Sequence, residues 1–184
     1  MEMKFKSHKG YAEVDLKDTS PSFANALRRI MLTEIALSAI DEVRITENNS
    51  ALQDEILTHR IGLIPVKGDG EFRLKVEGPL PVVSANLQPI KGDAQIDNMD
   101  IPIVELLENQ MIDLTCSTRT GTGKEHAKWQ AAVVGYQYKN PNSIKMTIES
   151  CSTLPEDELL KRSLAILKNK AQEFKEAVSK YKSL

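Results

Sequence analysis

The sequence predicts an α+β protein: an antiparallel sheet with a long N-proximal helix and a long C-terminal helix, interrupted by a β-rich insert. Three observations predict it. Helical patterns stand at opposite ends of the chain, alternating strand patterns lie between them, and Gly and Pro punctuate the middle. With 184 residues the chain suits one compact domain or two small interleaved ones.

Phe5, then Tyr11, Ala12, Val14 and Leu16, read as a short hairpin with Lys9-Gly10 near its turn and one wet face. Ser20 is a good N-cap and Pro21 suits the first helical position. Phe23, Leu27, Ile30, Met31 and Ile35 then recur at helical spacing. The opposite face carries Asn25, Arg28 and Arg29, with Leu32 among them, while Glu34 interrupts the apolar side. Val43 and Ile45 alternate with Arg44 and Thr46 as a half-buried strand, and Gln53 to Arg60 form a short helix stopped by Gly62 and Pro65.

After Pro65 the character changes. Gly68, Gly70, Gly78, Pro79, Pro81, Pro89 and Gly92 separate short strands such as Phe72 to Val76. Lys67 to Gly123 holds nine acidic residues against five Lys or Arg, which supports a boundary with the basic last segment. Residues 66–123 are therefore expected to form an insert domain, and residues 1–65 with 124–184 a dimerisation domain. Ala131 to Tyr138 and Ser143 to Glu149 form a hairpin around Asn140-Pro141-Asn142 that returns the chain to that domain.

Thr153 and Glu156 predict a capping box for the final helix. Glu156, Asp157 and Glu158 lie at its positive end, and lysines accumulate toward Lys182. Leu160, Leu164, Leu167, Ala171, Phe174, Val178 and Tyr181 follow alternating steps of four and three, a heptad seam that expects a partner helix. Such a helix is roughly 40 Å long, more than a core of this size covers, so part of it projects or is buried against another chain.

Hydrophobic residues make up 41% and charged residues 27%, an ordinary globular balance that can bury a core. The net charge of -2 provides no global attraction to phosphate backbones or anionic membranes. Cys116 and Cys151 stand far apart in strand-like surroundings and read as reduced core thiols of an intracellular protein. Met1 to Gly10 lacks the apolar run of a signal peptide, and no stretch approaches a membrane span.

Gly121-Thr122-Gly123-Lys124 fails as a phosphate loop. Thr118 stands where its first glycine is required, and Glu125 where Ser or Thr should follow the lysine. The loop instead leads into charged residues and Trp129, whose ring suits either a protein contact or a core anchor. His59-Arg60 and His126 beside Glu125 lack a nucleophile and an orienting acid. His8, His59, His126, Cys116 and Cys151 lack metal-ligand spacing. No catalytic residue, cofactor or metal is expected.

The runs Asn25-Ala26-Leu27-Arg28-Arg29-Ile30, Leu52-Gln53-Asp54-Glu55 and His59-Arg60-Ile61-Gly62-Leu63-Ile64-Pro65 resemble the alpha-type assembly subunit of multi-subunit DNA-dependent RNA polymerases. Gly123 to Trp129 is more similar to the archaeal and eukaryotic branch, that of the D-type archaeal subunit and the third-largest nuclear one, than to bacterial alpha. The Ile101-Pro102-Ile103 segment and the C-terminal helix extend the similarity to nearly the whole chain.

The resemblance implies a polymerase alpha-like fold and a scaffold with no activity of its own, in the cytoplasm, the nucleus or, for a viral version, the virion. It implies a smaller alpha-like partner bound through Phe23, Leu27, Ile30, Met31, Leu160, Leu164, Leu167, Ala171, Phe174 and Val178. It further implies docking of the second-largest and largest subunits, with small adaptor subunits, through Asn25, Arg28, Arg29, His59, Arg60, Gly62, Lys124, Glu125, His126, Lys128 and Trp129. DNA is then met only through the complex, and no membrane is involved.

Two alternatives stand beside this. One is a symmetric homodimer, which buries the same kind of seam. The other is a nucleic-acid-binding module using the basic C-terminal helix, where Lys161 to Lys182 holds seven Lys or Arg against two acids. A separate DNA-binding domain like that of bacterial alpha is not expected.

Overall fold

The computed structural model describes residues 1–140 and 143–181, in two compact units. The first comprises Met1–Ile35 and Thr122–Leu184, and the second Ala36–Gly121. The expected turn residues Pro141 and Asn142, and the final lysine Lys182, lie outside the described residues.

In the first unit, β1 (Glu2–Ser7), β2 (Ala12–Lys17), β9 (Ala132–Asn140) and β10 (Ser143–Ser150) form one antiparallel sheet in the order β1-β2-β10-β9. Gly10, at φ +86°, makes the first turn, a left-handed conformation that glycine adopts without steric cost. Register places Val14 between Phe5 and Met146, and Leu16 between Met3 and Ile144. One face therefore carries the apolar alternates. Ala12, Val14, Leu16, Ile144, Met146 and Ile148 are all buried on it, beneath α1 (Pro21–Thr33) and α3 (Glu156–Tyr181). The other face is charged: Lys145 pairs with Glu13, and Lys139 Nζ lies 2.5 Å from Asp15.

The helix starts show how local chemistry sets boundaries. Ser20 Oγ accepts from the Phe23 amide at 3.2 Å and Pro21 occupies the first turn, as their types require. The capping box expected at Thr153 does not define α3, which begins at Glu156, just past Pro155. Ser150 and Ser152 occupy the approach instead: Ser150 Oγ donates to the Leu154 carbonyl at 2.6 Å, and the Leu154 amide donates to Ser152 Oγ at 3.2 Å. This serine-lined turn holds Thr153 outside the helix. The acidic first turn, Glu156 to Glu158, stands at the positive dipole end.

The second unit holds a four-stranded antiparallel sheet, β3-β8-β4-β6, from β3 (Leu37–Asn48), β4 (Gly70–Glu77), β6 (Gln88–Gly92) and β8 (Met111–Gly121). β5 (Leu80–Val83) and β7 (Pro102–Leu106) make a small second sheet, and α2 (Asp54–Gly62) packs on β3 and β7. One core joins Ile40, Leu57, Ile61 and Ile64 to Phe72, Leu74, Ile112 and Leu114.

That core moves the expected boundary. The chain leaves the first unit at Ile35 instead of after Pro65, because β3 and α2 bury their apolar faces with the strands that follow. The return crossing, at Gly121/Thr122, falls two residues before the end expected for the insert at Gly123.

Candidate subunit interface

α1 turns its apolar stripe inward. Ala24, Leu27 and Met31 are fully buried and Ile30 is 3% exposed, because α1 packs against α3, β9 and β10. Leu27, Ile30 and Met31, expected to face a partner, thus belong to this unit's own core. Phe23 is half-buried. On the outer side Arg28 donates from Nε and Nη2 to Asn25 Oδ1 at 3.2 and 3.0 Å, a fork that holds both side chains on the helix surface. Arg29 lies on the same outer side and is exposed, whereas Asn25 and Arg28 are half-buried.

α3 divides along its length. Leu159 and Ser163 are fully buried and Leu160 is 6% exposed, with Leu164, Ile166 and Leu167 half-buried. From Lys168 to Tyr181 every residue is exposed. The apolar seam nevertheless continues through Ala171, Phe174, Val178 and Tyr181, and Phe174 and Tyr181 are 72% and 80% exposed. Water-facing aromatics at core spacing form a patch that burial would stabilise and that this unit leaves open. Leu160, expected at the partner interface, packs inside.

The loop after Gly121 is fastened to the end of α1. The Lys124 amide donates to the Thr33 carbonyl at 3.1 Å, and Glu125 Oε1 accepts from the Thr122 amide at 3.0 Å. Gly123 permits this approach, since a Cβ there would lie 2.3 Å from the Leu32 carbonyl oxygen. His126 Nδ1 accepts from the Lys128 amide at 3.1 Å, opening a 3₁₀ turn that sends Trp129 inward. Trp129 is 2% exposed, so its ring is a core anchor and not a contact surface; Lys128 Nζ lies 4.4 Å from the ring centroid. Glu125 and His126 remain exposed around it, and the Lys124 ammonium reaches water as well.

Asn25, Arg28, Arg29 and the 124–129 loop thus stand in the first unit, whereas His59, Arg60 and Gly62 stand in the second. There His59 and Arg60 occupy the last turn of α2, where the Arg60 guanidinium suits the negative dipole end. Arg60 Nη2 donates to the Pro102 carbonyl at 3.1 Å, and Gly62 is half-buried against the Ile40 carbonyl.

Glu34 emerges as a residue whose partners sequence reasoning missed. It caps the C-terminus of α1, and its carboxylate meets Lys170 of α3 at 2.5 Å and Lys124 of the loop at 3.5 Å. Burial pushes the Glu34 carboxyl up, but the two ammonium groups outweigh it and hold it below the usual carboxylate range. The signal in the sequence was an acid breaking an apolar face.

Burial pushes the Cys116 thiol up to about 12, which keeps it protonated and unreactive, and Cys151 is exposed. Among the described residues no group of three or more His, Cys, Asp or Glu could hold a metal ion, and no helix is long and apolar enough to cross a membrane.

The family model for the RNA polymerase Rpb3/Rpb11 dimerisation domain matches residues 13–171. The chain is similar to DNA-directed RNA polymerase subunit Rpo3 of Methanocaldococcus jannaschii, 41% identical over 160 residues, or 83% of each chain. It is also similar to the subunits of that name from Thermococcus kodakarensis, 42% identical over 131 residues, and Pyrococcus furiosus, 40% over 138. Those alignments cover 63% and 67% of this chain and 51% and 53% of the relatives, so the chain spans about half the length of these two.

Proposed function

The chain belongs to the RNA polymerase Rpb3/Rpb11 dimerisation-domain family, and we propose that it is a non-catalytic assembly subunit of a DNA-directed RNA polymerase. It pairs with a smaller alpha-like subunit, and the pair forms the platform on which the second-largest and largest subunits assemble, with small adaptor subunits at the margins. The nucleotide chemistry belongs to the large subunits, and DNA is met only through the complex.

The observation that carries this reading is the apolar stripe on the second half of α3. Phe174, Val178 and Tyr181 stand in water at the spacing of a helix-pairing seam. Ala171, Phe174 and Val178 are the direct contacts, with Phe23, Leu164 and Leu167 at the margin. Leu27, Ile30, Met31 and Leu160 shape that surface from beneath. Large-subunit contacts fall to Asn25, Arg28, Arg29, Lys124, Glu125, His126 and Lys128 in one unit, with Trp129 anchoring the loop, and to His59, Arg60 and Gly62 in the other. Arg28, Arg29 and Arg60 suit carboxylates of a docking surface, because the guanidinium fork binds them bidentately.

Affinity purification of the tagged chain from its native cells tests this. A smaller alpha-like subunit and both large polymerase subunits should co-purify in stoichiometric amounts. Recovery of this chain alone, or only as a self-paired dimer by native mass measurement, would overturn the heteromeric scaffold.

A further inference from the structure

A carboxylate is poorly placed at the C-terminal end of a helix, where the backbone carbonyls already concentrate negative charge. Glu34 sits there as the C-cap of α1, its own amide donating to the Ile30 carbonyl at 2.9 Å. Its side chain is only 16% exposed and points into a meeting of three segments. Lys170 Nζ contacts both oxygens, at 2.6 and 2.5 Å, and Lys124 Nζ lies 3.5 Å from Oε1. Lys170 belongs to the first turn of the exposed stretch of α3. Lys124 belongs to the loop whose backbone lies on the last turn of α1, with its amide on the Thr33 carbonyl, one of the helix-end acceptors, and Gly123 too close to Leu32 to accept a Cβ.

We propose that Glu34 is a positioning residue that fastens the projecting half of α3 and the Gly123 loop to the same end of α1, so that one carboxylate sets the two surfaces offered to different partners. The stripe on α3 is then held at a defined angle before any partner arrives. Occupying either surface stiffens the other, because ordering one lysine on the shared carboxylate removes part of the freedom of the second. The assignment of the two surfaces to different partners rests on the function proposed above, whereas the fastening itself does not.

Hydrogen exchange on the isolated chain separates the two. Glu34→Gln should accelerate exchange about threefold both in residues 168–181 and in residues 122–126, the scale expected for losing a partly exposed ion pair. Lys170→Met should accelerate only the helical segment, and Lys124→Met only the loop. Exchanging the charges, with Glu34→Lys and Lys170→Glu together, should restore the helical segment and leave the loop fast, since two lysines then face each other there. Unchanged exchange in both segments of Glu34→Gln would overturn the proposal. So would acceleration spread equally over β2 and β10, which would reveal general loss of stability. Because no partner is present, these outcomes are independent of whether polymerase subunits co-purify.

Discussion

Within α3, residues 156–167 and residues 168–181 carry the same four-and-three spacing of apolar side chains, but they meet different surroundings. In the first half Leu159, Leu160 and Ser163 are sealed between α1 and the sheet; in the second Phe174 and Tyr181 stand in water. Two of the three buried positions, Leu159 and Ser163, also run one step off the seam that leads through Leu160, Leu164, Leu167 and Ala171. A single helix can therefore face its own core at one end and a partner at the other, with a shift of stripe marking the change. The loop between Gly121 and Ala131 repeats the contrast at smaller scale, with Trp129 sunk in the core while Glu125 and His126 remain outside.

This contrast can be broken by mutation, and the largest effect belongs to the loop. Trp129→Ala should destabilise the chain by about 4 kcal/mol, read as a lowered urea midpoint, whereas His126→Ala should stay within about 0.5 kcal/mol. Equal effects would erase the distinction between anchor and rim. Leu159→Ala should cost about 3 kcal/mol by the same measurement, the cost of a cavity in a packed site.

Phe174→Ala inverts that pattern. Stability of the lone chain should change by less than about 0.5 kcal/mol, while affinity for the co-purified alpha-like partner, measured by titration calorimetry, should fall about 30-fold. An unaltered affinity would leave the exposed half of α3 without its proposed role.

Smaller effects sharpen the comparison at the helix ends. Ser20→Ala removes the cap on the Phe23 amide and should cost about 1 kcal/mol, whereas Thr153→Ala, outside α3, should cost less than half of that. Acid gives the finest probe. The folded Glu34 carboxyl is held below its ordinary 4.5, so its contribution is present above that pH and is lost as pH falls through the lower folded value. The gap in unfolding midpoint between the parent chain and Glu34→Gln should close on acidification and persist at neutral pH.

Much of the fold was legible locally. Ser20-Pro21 marked the start of α1, the alternation at Val14 and Leu16 marked a half-wet strand, and Gly62 marked the end of α2; each depends on interactions within a few residues. Thr153 misled because Ser150 and Ser152 compete for the same stretch of backbone, and Pro155 stands immediately before the helix. The boundary after Pro65 misled because the burst of Gly and Pro marks tight turns, not the place where one core gives way to another. For the candidate interface, the sequence marked the residue types on α1, the loop and α3, but not which of them lie inside. Leu27 and Phe174 occupy equivalent positions in their patterns and end at 0% and 72% exposure.

The sequence by itself determined the three helices, the strands of the first unit, the apolar face of each, and the family to which the chain is similar, because periodicity and capping act over one or two turns. Only the tertiary structure decided what covers each apolar face, where β3 and α2 belong, and that Glu34 meets two lysines 90 and 136 residues away along the chain. Cover, burial and charge pairing come from segments remote in sequence, and periodicity specifies a side of an element without specifying its neighbour.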